Sequence, residues 1–422
     1  MKEYIGRMLY PLYVYVCEIE WIYKILLFLK RIVVGKKYVY GKYKLSGAKE
    51  LCGKLNPYKY EVICLAKERK IWKKSFWGET KTYSVYQSPE IYTLSVNNAI
   101  VIGNEEGIVV GDYYINDYLK SNYTFMHIYR GGALKSVRKE YAELMFVKPS
   151  KSLECAISLV TPAADNYWHY VNELLGKIYC ISNERELDGI SILVNASVLK
   201  NKNLYSLLLM ALKNDTEREI IGIENEEAIL IKKLIYVSRV SWTPLNVKKG
   251  YKLQDKDVLL SDETMKFVRD EISQNVDDGD NGGIKVYLSR KKIRSNRMLD
   301  EENVENVFRK YGYEIYYPEK MSAEEQVMLM KKSSVVAGCA GAAMTNMVFC
   351  EPTTKVLIIV PREHSSELWA NYGAQVELDV KFLEAKIVKK GTFDSLDEFR
   401  IDLYYLESVL KEIEESIKNN EE

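Results

Sequence analysis

The sequence predicts an α/β protein of two lobes, with a β-rich region ahead of the first and a doubly wound second lobe. Three observations carry this. Its 422 residues are long for one hydrophobic core, so two domains are expected. From Leu153 onward, apolar runs of strand length alternate with amphipathic helix patterns, which favours parallel sheet covered by helices. Residues 275–283, Asn-Val-Asp-Asp-Gly-Asp-Asn-Gly-Gly, form the clearest linker. The expected divisions are residues 1–45 (an amphipathic N-terminal segment), 46–275 (an N-terminal lobe) and 276–422 (a C-terminal lobe with a terminal helix).

Residues 8–17 are uncharged and apolar, Glu18 and Glu20 interrupt, and residues 25–29 resume. Neither run reaches the ~18 residues of a membrane span, and no small-residue cleavage site follows. Tyr, Trp and Leu flanked by Arg7, Lys30, Arg31, Lys36 and Lys37 suit a helix lying in the membrane interface. An ordinary amphipathic helix docked on the protein body is the favoured reading of the two.

Residues 92–96, 99–102, 107–110 and 112–115 read as short strands separated by Asn and Gly turns. Strands are then expected at 155–160, 191–194, 228–230 and 233–237, with helices from about Tyr167 and over 202–212. The Asp278-Gly279-Asp280 triplet in the linker is the kind of pair that can hold a divalent metal, but its glycine-rich setting reads as a solvated hinge.

The C-terminal lobe is the most regular part. A strand is expected at 284–289. Asp300 caps a helix whose Val304, Val307, Phe308 and Tyr311 fall at i, i+3, i+4 and i+7, and Gly312 ends it. Strand 313–317 is closed by Pro318. Ser322 and Glu325 form a capping box, then strands 334–337 and 356–360 follow. A ligand crevice is expected at the carboxyl ends of these strands. The tail from Leu396 reads as one amphipathic helix.

With 47% hydrophobic and 28% charged residues the chain is of the folded class. Lys+Arg 60 against Asp+Glu 59 argues against nucleic acid as the principal partner. Seven scattered cysteines without a Cys-x-x-Cys pair argue against structural zinc or a disulfide framework and point to a reducing compartment. Three histidines (127, 169, 364) make a histidine-rich metal centre an unfavoured reading. No Gly-x-Ser-x-Gly elbow, Walker loop or His-Glu-x-x-His is present.

Three constellations fall where a crevice is expected. Residues 335–346, Val-Val-Ala-Gly-Cys-Ala-Gly-Ala-Ala-Met-Thr-Asn, run from a strand through Gly338 and Gly341 into a helix opening near Met344. Small residues admit a ligand close to the backbone, and free N–H groups at a helix start favour an anion. The basic segment Ser289 to Arg297 follows the first strand of the lobe, and Arg290 and Arg297 are placed to grip a diphosphate. In Asp165 to Glu173, Asn166, His169 and Glu173 fall within about 60° of one another on a helix, as if to take a proton from a hydroxyl.

At these residues the sequence resembles the family 61 glycosyltransferases. The likeness rests on Asn166-Tyr167-Trp168-His169 through Glu173, on Ser289-Arg290 with Arg297-Met298-Leu299-Asp300-Glu301, on Glu325-Gln326, and on Ala340-Gly341-Ala342-Ala343-Met344-Thr345-Asn346, in the family's order over roughly residues 90–380. Two positions depart: Ala340 stands where the family has histidine and Ala343 where it has glycine. The resemblance implies a GT-B-like arrangement of two Rossmann-like lobes. It implies inverting, metal-independent transfer with no cofactor, from a nucleotide-sugar, a UDP-sugar first, to a glycan or lipid-linked glycan of a surface or capsular polysaccharide. The expected location is cytoplasmic, with peripheral contact at the inner membrane face left open. Asn166, His169 and Glu173 are the implied catalytic residues; Arg290, Arg297, Gln326, Gly338, Gly341, Thr345 and Asn346 are the implied donor contacts. A polysaccharide pyruvyltransferase-like enzyme and a non-catalytic nucleotide-sugar-binding subunit are the alternatives.

Overall fold

The computed structural model describes residues 37–55, 58–122, 132–182, 184–213, 215, 217–244, 257–276, 283–293, 296–364, 367–391 and 397–421, with 21, 22, 25, 26, 28, 29 and 32 nearer the N-terminus. The apolar run at 8–17, His127, the Asp278–Asp280 triplet and residues 294–295 of the basic segment lie outside them.

In the C-terminal half, the four expected strand-length apolar runs join two strands the sequence reading lacked, Asp379–Lys389 and Glu398–Ile401, in a six-stranded sheet of order Glu314–Tyr316, Ile284–Leu288, Ser333–Cys339, Lys355–Pro361, Asp379–Lys389, Glu398–Ile401. The first five are mutually parallel and the last is antiparallel. These runs are continuously apolar because both faces are covered. Tyr287, Val335, Ala337, Leu357 and Ile359 bury one way, against Phe308 and the tail helix Leu403–Glu421. Val286, Val336, Val356 and Ile358 bury the other way, under Val327, Met330 and Tyr372. The period of two along each strand places neighbours on opposite faces.

The capping box forms as expected: Glu325 N donates to Ser322 Oγ at 3.2 Å and Ser322 N to Glu325 Oε2 at 2.7 Å. Such caps contribute about 1 kcal/mol. Asp300 precedes helix Glu301–Lys310 but sits in the left-handed region (φ 57°) without a side-chain cap, its carboxylate pairing with Arg400 at 2.7 Å instead. The tail helix begins at Leu403, later than expected, because Phe399 and Ile401 alternate inward as the edge strand.

Among the described residues the N-terminal half holds, besides a two-stranded ribbon of Glu68–Trp72 with Tyr83–Gln87, an 11-stranded mixed sheet. Strand Ala228–Val237 is its junction, parallel to Ser152–Ser158 on one side and antiparallel to Ile91–Ile102 on the other. The junction strand and its antiparallel partner Ile91–Ile102, each read from the sequence as two short strands, are both unbroken. The Asn97-Asn98 turn is overridden by neighbours on both sides; Asn98 takes φ 52° within an unbroken strand, and Asn97 pairs with Lys233.

One apolar cluster joins the two sheets. Ile157, Trp168, Leu174, Leu208 and Val268 pack together with Val336, Met344, Phe349 and Tyr372. Phe76 adds a second tie: it bridges to Phe382, whose N–H donates to Ser75 O at 3.2 Å. Among the described residues no helix is long and apolar enough to cross a membrane.

Candidate functional site

Asn166 starts the helix that carries His169 and Glu173. Its side chain accepts from Trp168 N at 3.0 Å, the usual bond of an N-cap. Tyr167–His169 is a single α turn; Tyr170–Leu175 then widens into a π-helix before α geometry resumes at Gly176–Ile178. Such bulges recur at functional sites because they re-aim side chains. Here His169 Nδ1 lies 3.0 Å from Glu173 Oε1. Of the three residues expected on one face, His169 and Glu173 meet, and Asn166 is engaged in capping.

Glu173 is fully buried. Arg239 Nη2 donates to its two oxygens at 3.1 and 3.2 Å, and Thr161 Oγ1 to Oε2 at 3.1 Å. Arg239 also donates to Thr243 O at 3.1 Å, and its Nε lies 3.3 Å from Glu106 Oε2. Lys177, also fully buried, bonds Val160 O at 2.9 Å and stands 3.8 Å from Glu106 Oε1. These partners come from the carboxyl ends of parallel strands: Thr161 follows Ser152–Ser158, Asn195 ends Ile192–Asn195 and holds Thr161, and Arg239 follows Ala228–Val237.

The two buried acids differ in kind. Burial pushes both upward. For Glu173 the charge of Arg239, then that of His169, together with their hydrogen bonds, outweighs it and holds the carboxyl below its ordinary range. Glu106 stays raised by burial despite Arg239 and Lys177, because no hydrogen bond reaches its Oε1. Burial lowers Lys177 against the pull of Glu106 and Glu173. Glu173 is therefore a committed carboxylate facing three donors. An imidazole giving its Nδ1 proton to such a carboxylate keeps a lone pair on Nε2. His169 Nε2 has no hydrogen-bond partner among the described residues, and the side chain keeps 10% exposure.

The basic segment and the glycine turn converge. Arg297 Nη2 donates to Ala340 O at 3.3 Å. Arg290 lies so close to Gly341 that a Cβ there would stand 1.6 Å from its Nη1. Burial, then the like charge of Arg290, drives Arg297 below an arginine's ordinary value. Glu301 shapes the segment, accepting from Arg290 N at 2.8 Å, Asn296 Nδ2 at 2.6 Å and Tyr287 OH at 3.0 Å. The helix after Gly341 is of the 3-10 type over Ala342–Phe349 and opens two residues before Met344. Gly338 lies inside its strand, where a Cβ would meet Met344 Sδ at 2.8 Å and Leu288 O at 3.2 Å, so its smallness serves packing.

Gln326 and Asn346 bond each other, Asn346 Nδ2 donating to Gln326 Oε1 at 2.7 Å. Tyr167 OH donates to Asn346 Oδ1 at 2.6 Å, which joins the histidine helix to the glycine turn. Thr345 is fully buried; its carbonyl accepts from Tyr372 OH at 2.9 Å, while its Oγ1 has no partner. Trp168 packs edge-on against Trp369, with centroids 4.8 Å apart.

Sequence reasoning did not single out Glu106, Thr161, Lys177 or Arg239, nor the His364–Asp397 pair (Nε2 to Oδ2, 3.0 Å) near Arg297. A run of Ser-Arg after an apolar strand was the one available signal for Arg239. Among the described residues no group of three or more His, Cys, Asp or Glu side chains is placed to hold a metal ion.

The chain matches no curated protein. Residues 167–357 match the family model described as Glycosyltransferase 61, a span running from Tyr167 beside the His169–Glu173 pair through Arg239, Arg290, Arg297 and the Gly341 turn; on that match the protein is a glycosyltransferase.

Proposed function

We propose that the protein transfers a sugar from a nucleoside diphosphate sugar, a UDP-sugar first, to a glycan hydroxyl with inversion, within a GT-B-like pair of lobes at residues 46–275 and 276–422. The observation that carries this is the Tyr167–Asn346 hydrogen bond, which sets the His169 helix start against the turn where Arg290 and Arg297 converge.

His169 Nε2 takes the proton of the acceptor hydroxyl while that oxygen attacks the anomeric carbon from the face opposite the diphosphate. The anomeric carbon–oxygen bond breaks with its electron pair going to the diphosphate. Arg290, Arg297 and the N–H groups after Gly341 take up the charge that develops there. Glu173 is not the base, since its oxygens are occupied by three donors; it orients His169 and stabilises the imidazolium. Asn166 acts through the cap, and Gln326, Gly338, Thr345 and Asn346 hold the turn in shape. No step calls for a metal or cofactor.

The acceptor reading, a surface or capsular polysaccharide made at the inner membrane face, takes support from the N-terminal segment. Trp21, Phe28 and Ile32 are each more than 60% exposed, as an interfacial helix requires.

A thermal-shift panel of UDP-, GDP- and CMP-sugars with phosphoenolpyruvate tests the reading. A true donor raises the melting temperature by mass action. Stabilisation by a UDP-sugar, with turnover abolished in His169→Ala and the stabilisation retained, is the expected result. Stabilisation by phosphoenolpyruvate alone would favour pyruvyl transfer and overturn it.

A further inference from the structure

Beside the Glu106–Arg239 pair lies a cavity of about 250 Å³ that neither His169 nor Glu173 lines. Five aromatic residues wall it: Tyr60, Tyr92, Tyr118, Tyr236 and Trp242. Its size falls just below the ~300–1,000 Å³ of sites for drug-sized ligands, which suits a single ring. Two of the lining residues carry oxygens shut off from water and lacking a hydrogen-bond partner among the described residues, Glu106 Oε1 and Tyr118 OH. Buried polar atoms of this kind cost about 1–3 kcal/mol each unless something satisfies them.

The charges in the wall select further. Glu90, Glu106 and Asp117 line the cavity against Lys49 and Arg239. Lys49 is already paired with Glu90 at 2.5 Å, and Arg239 with Glu173 and Glu106. Tyr92 OH donates to Asp117, whose other oxygen accepts Ala48 N at 3.1 Å. An acidic wall with its cations engaged repels phosphate and carboxylate. Aromatic faces with hydrogen-bonding rims accept a ring that is apolar above and below and hydroxylated at its edge.

We propose that this cavity is an acceptor subsite, holding one uncharged sugar ring with its C–H faces on the aromatic wall and its hydroxyls on Glu106 and Tyr118. This rests on the reading of the chain as a transferase to glycans. Arg239 pairs with Glu106 at the cavity and with Glu173 behind His169, so a guanidinium and the Glu173 carboxylate separate the bound ring from the base. The ring held here is thus a neighbour of the reacting unit and contributes recognition.

Saturation-transfer NMR on the full chain with glucose, galactose, N-acetylglucosamine and rhamnose tests this, with uridine as competitor. Transfer to at least one sugar is expected, unaffected by uridine, and weakened about tenfold in both Tyr118→Phe and Trp242→Ala. Tyr118→Phe removes a hydroxyl with no hydrogen-bond partner among the described residues, so its melting temperature should not fall below the parent's. No transfer to any of the four sugars, transfer unchanged in both variants, or displacement by uridine would overturn the assignment. UDP-sugar turnover is measured on the same samples. Turnover without sugar binding sinks the subsite alone; sugar binding without turnover of any donor sinks the transferase mechanism and leaves the cavity a sugar site.

Discussion

Replacing Glu173 with glutamine tests the division of labour between the two candidate catalytic residues. The change keeps the volume, but His169 Nδ1, Arg239 Nη2 and Thr161 Oγ1 all approach this carboxylate within 3.2 Å. An amide offers one acceptor oxygen to three donors, so its NH2 must face one of them. Stripping one partner from a buried ion pair costs about 3–5 kcal/mol, on the order of 3–6 °C in melting temperature for a chain of this size. If the amide NH2 turns to His169, the imidazole takes the opposite tautomer and Nε2 carries a proton where it should carry a lone pair. A carboxylate-to-amide change behind a catalytic imidazole lowers kcat by up to ~10⁴, and a fall of about 10²–10⁴ is expected here with donor KM within about twofold. The assay is initial-rate UDP release from whichever UDP-sugar stabilises the parent, with circular dichroism to establish that the variant is folded. Glu173→Asp, which keeps the charge, should recover part of the loss. A folded Glu173→Gln variant with kcat within threefold of the parent would refute the pairing of His169 with Glu173 as base and orienter.

Three further outcomes follow from the same geometry. Gly341→Ala puts a Cβ into the space of the Arg290 guanidinium, so UDP affinity should fall about tenfold in a calorimetric titration with little change in melting temperature; unchanged affinity would remove Arg290 from the donor seat. Tyr167→Phe deletes the 2.6 Å bond to buried Asn346 and should cost about 1–3 kcal/mol in denaturant unfolding, and no loss would mean that this bond does not tie the two motifs. Glu105 is buried, receives Leu134 N at 2.9 Å and is pushed up to about 7 by burial. A raised carboxyl contributes stability that is complete below its unfolded value of 4.5 and lost as pH rises through about 7, here about 3 kcal/mol. Glu105→Gln should flatten that decline between pH 5 and pH 8, and an undiminished slope would exclude Glu105 as its source.

The C-terminal half was legible because its signals are local. Four apolar runs, the Ser322–Glu325 box and the 3.6-residue spacing of Val304, Val307 and Phe308 each lie within one element. The N-terminal half depends on neighbours. Asn97-Asn98 reads as a turn, yet Tyr58–Cys64, Ile108–Val110 and Ala228–Val237 hold it in the ladder. The same contrast governs the site. His169 and Glu173 were readable from a four-residue spacing, and Arg290 with the Gly341 turn from strand ends facing one crevice. Glu106 and Arg239 lie 67 and 66 residues from Glu173, on elements whose meeting only the sheet order decides. The π-helix at Tyr170–Leu175 has no sequence signature in Tyr-Val-Asn-Glu-Leu-Leu, and that geometry sets where Glu173 points.

The junction strand Ala228–Val237 bears on how this protein can be divided. The span that carries the family match, residues 167–357, contains that strand but neither of its sheet neighbours. A fragment cut to those limits would expose two long unpaired edges, each a template for strand addition by another copy. It would also lose Thr161 from Glu173 and the strand Asp379–Lys389 from the other sheet. The matched stretch is thus not an autonomous folding unit, and a soluble fragment must reach back through Ile91–Ile102 and forward through Glu398–Ile401.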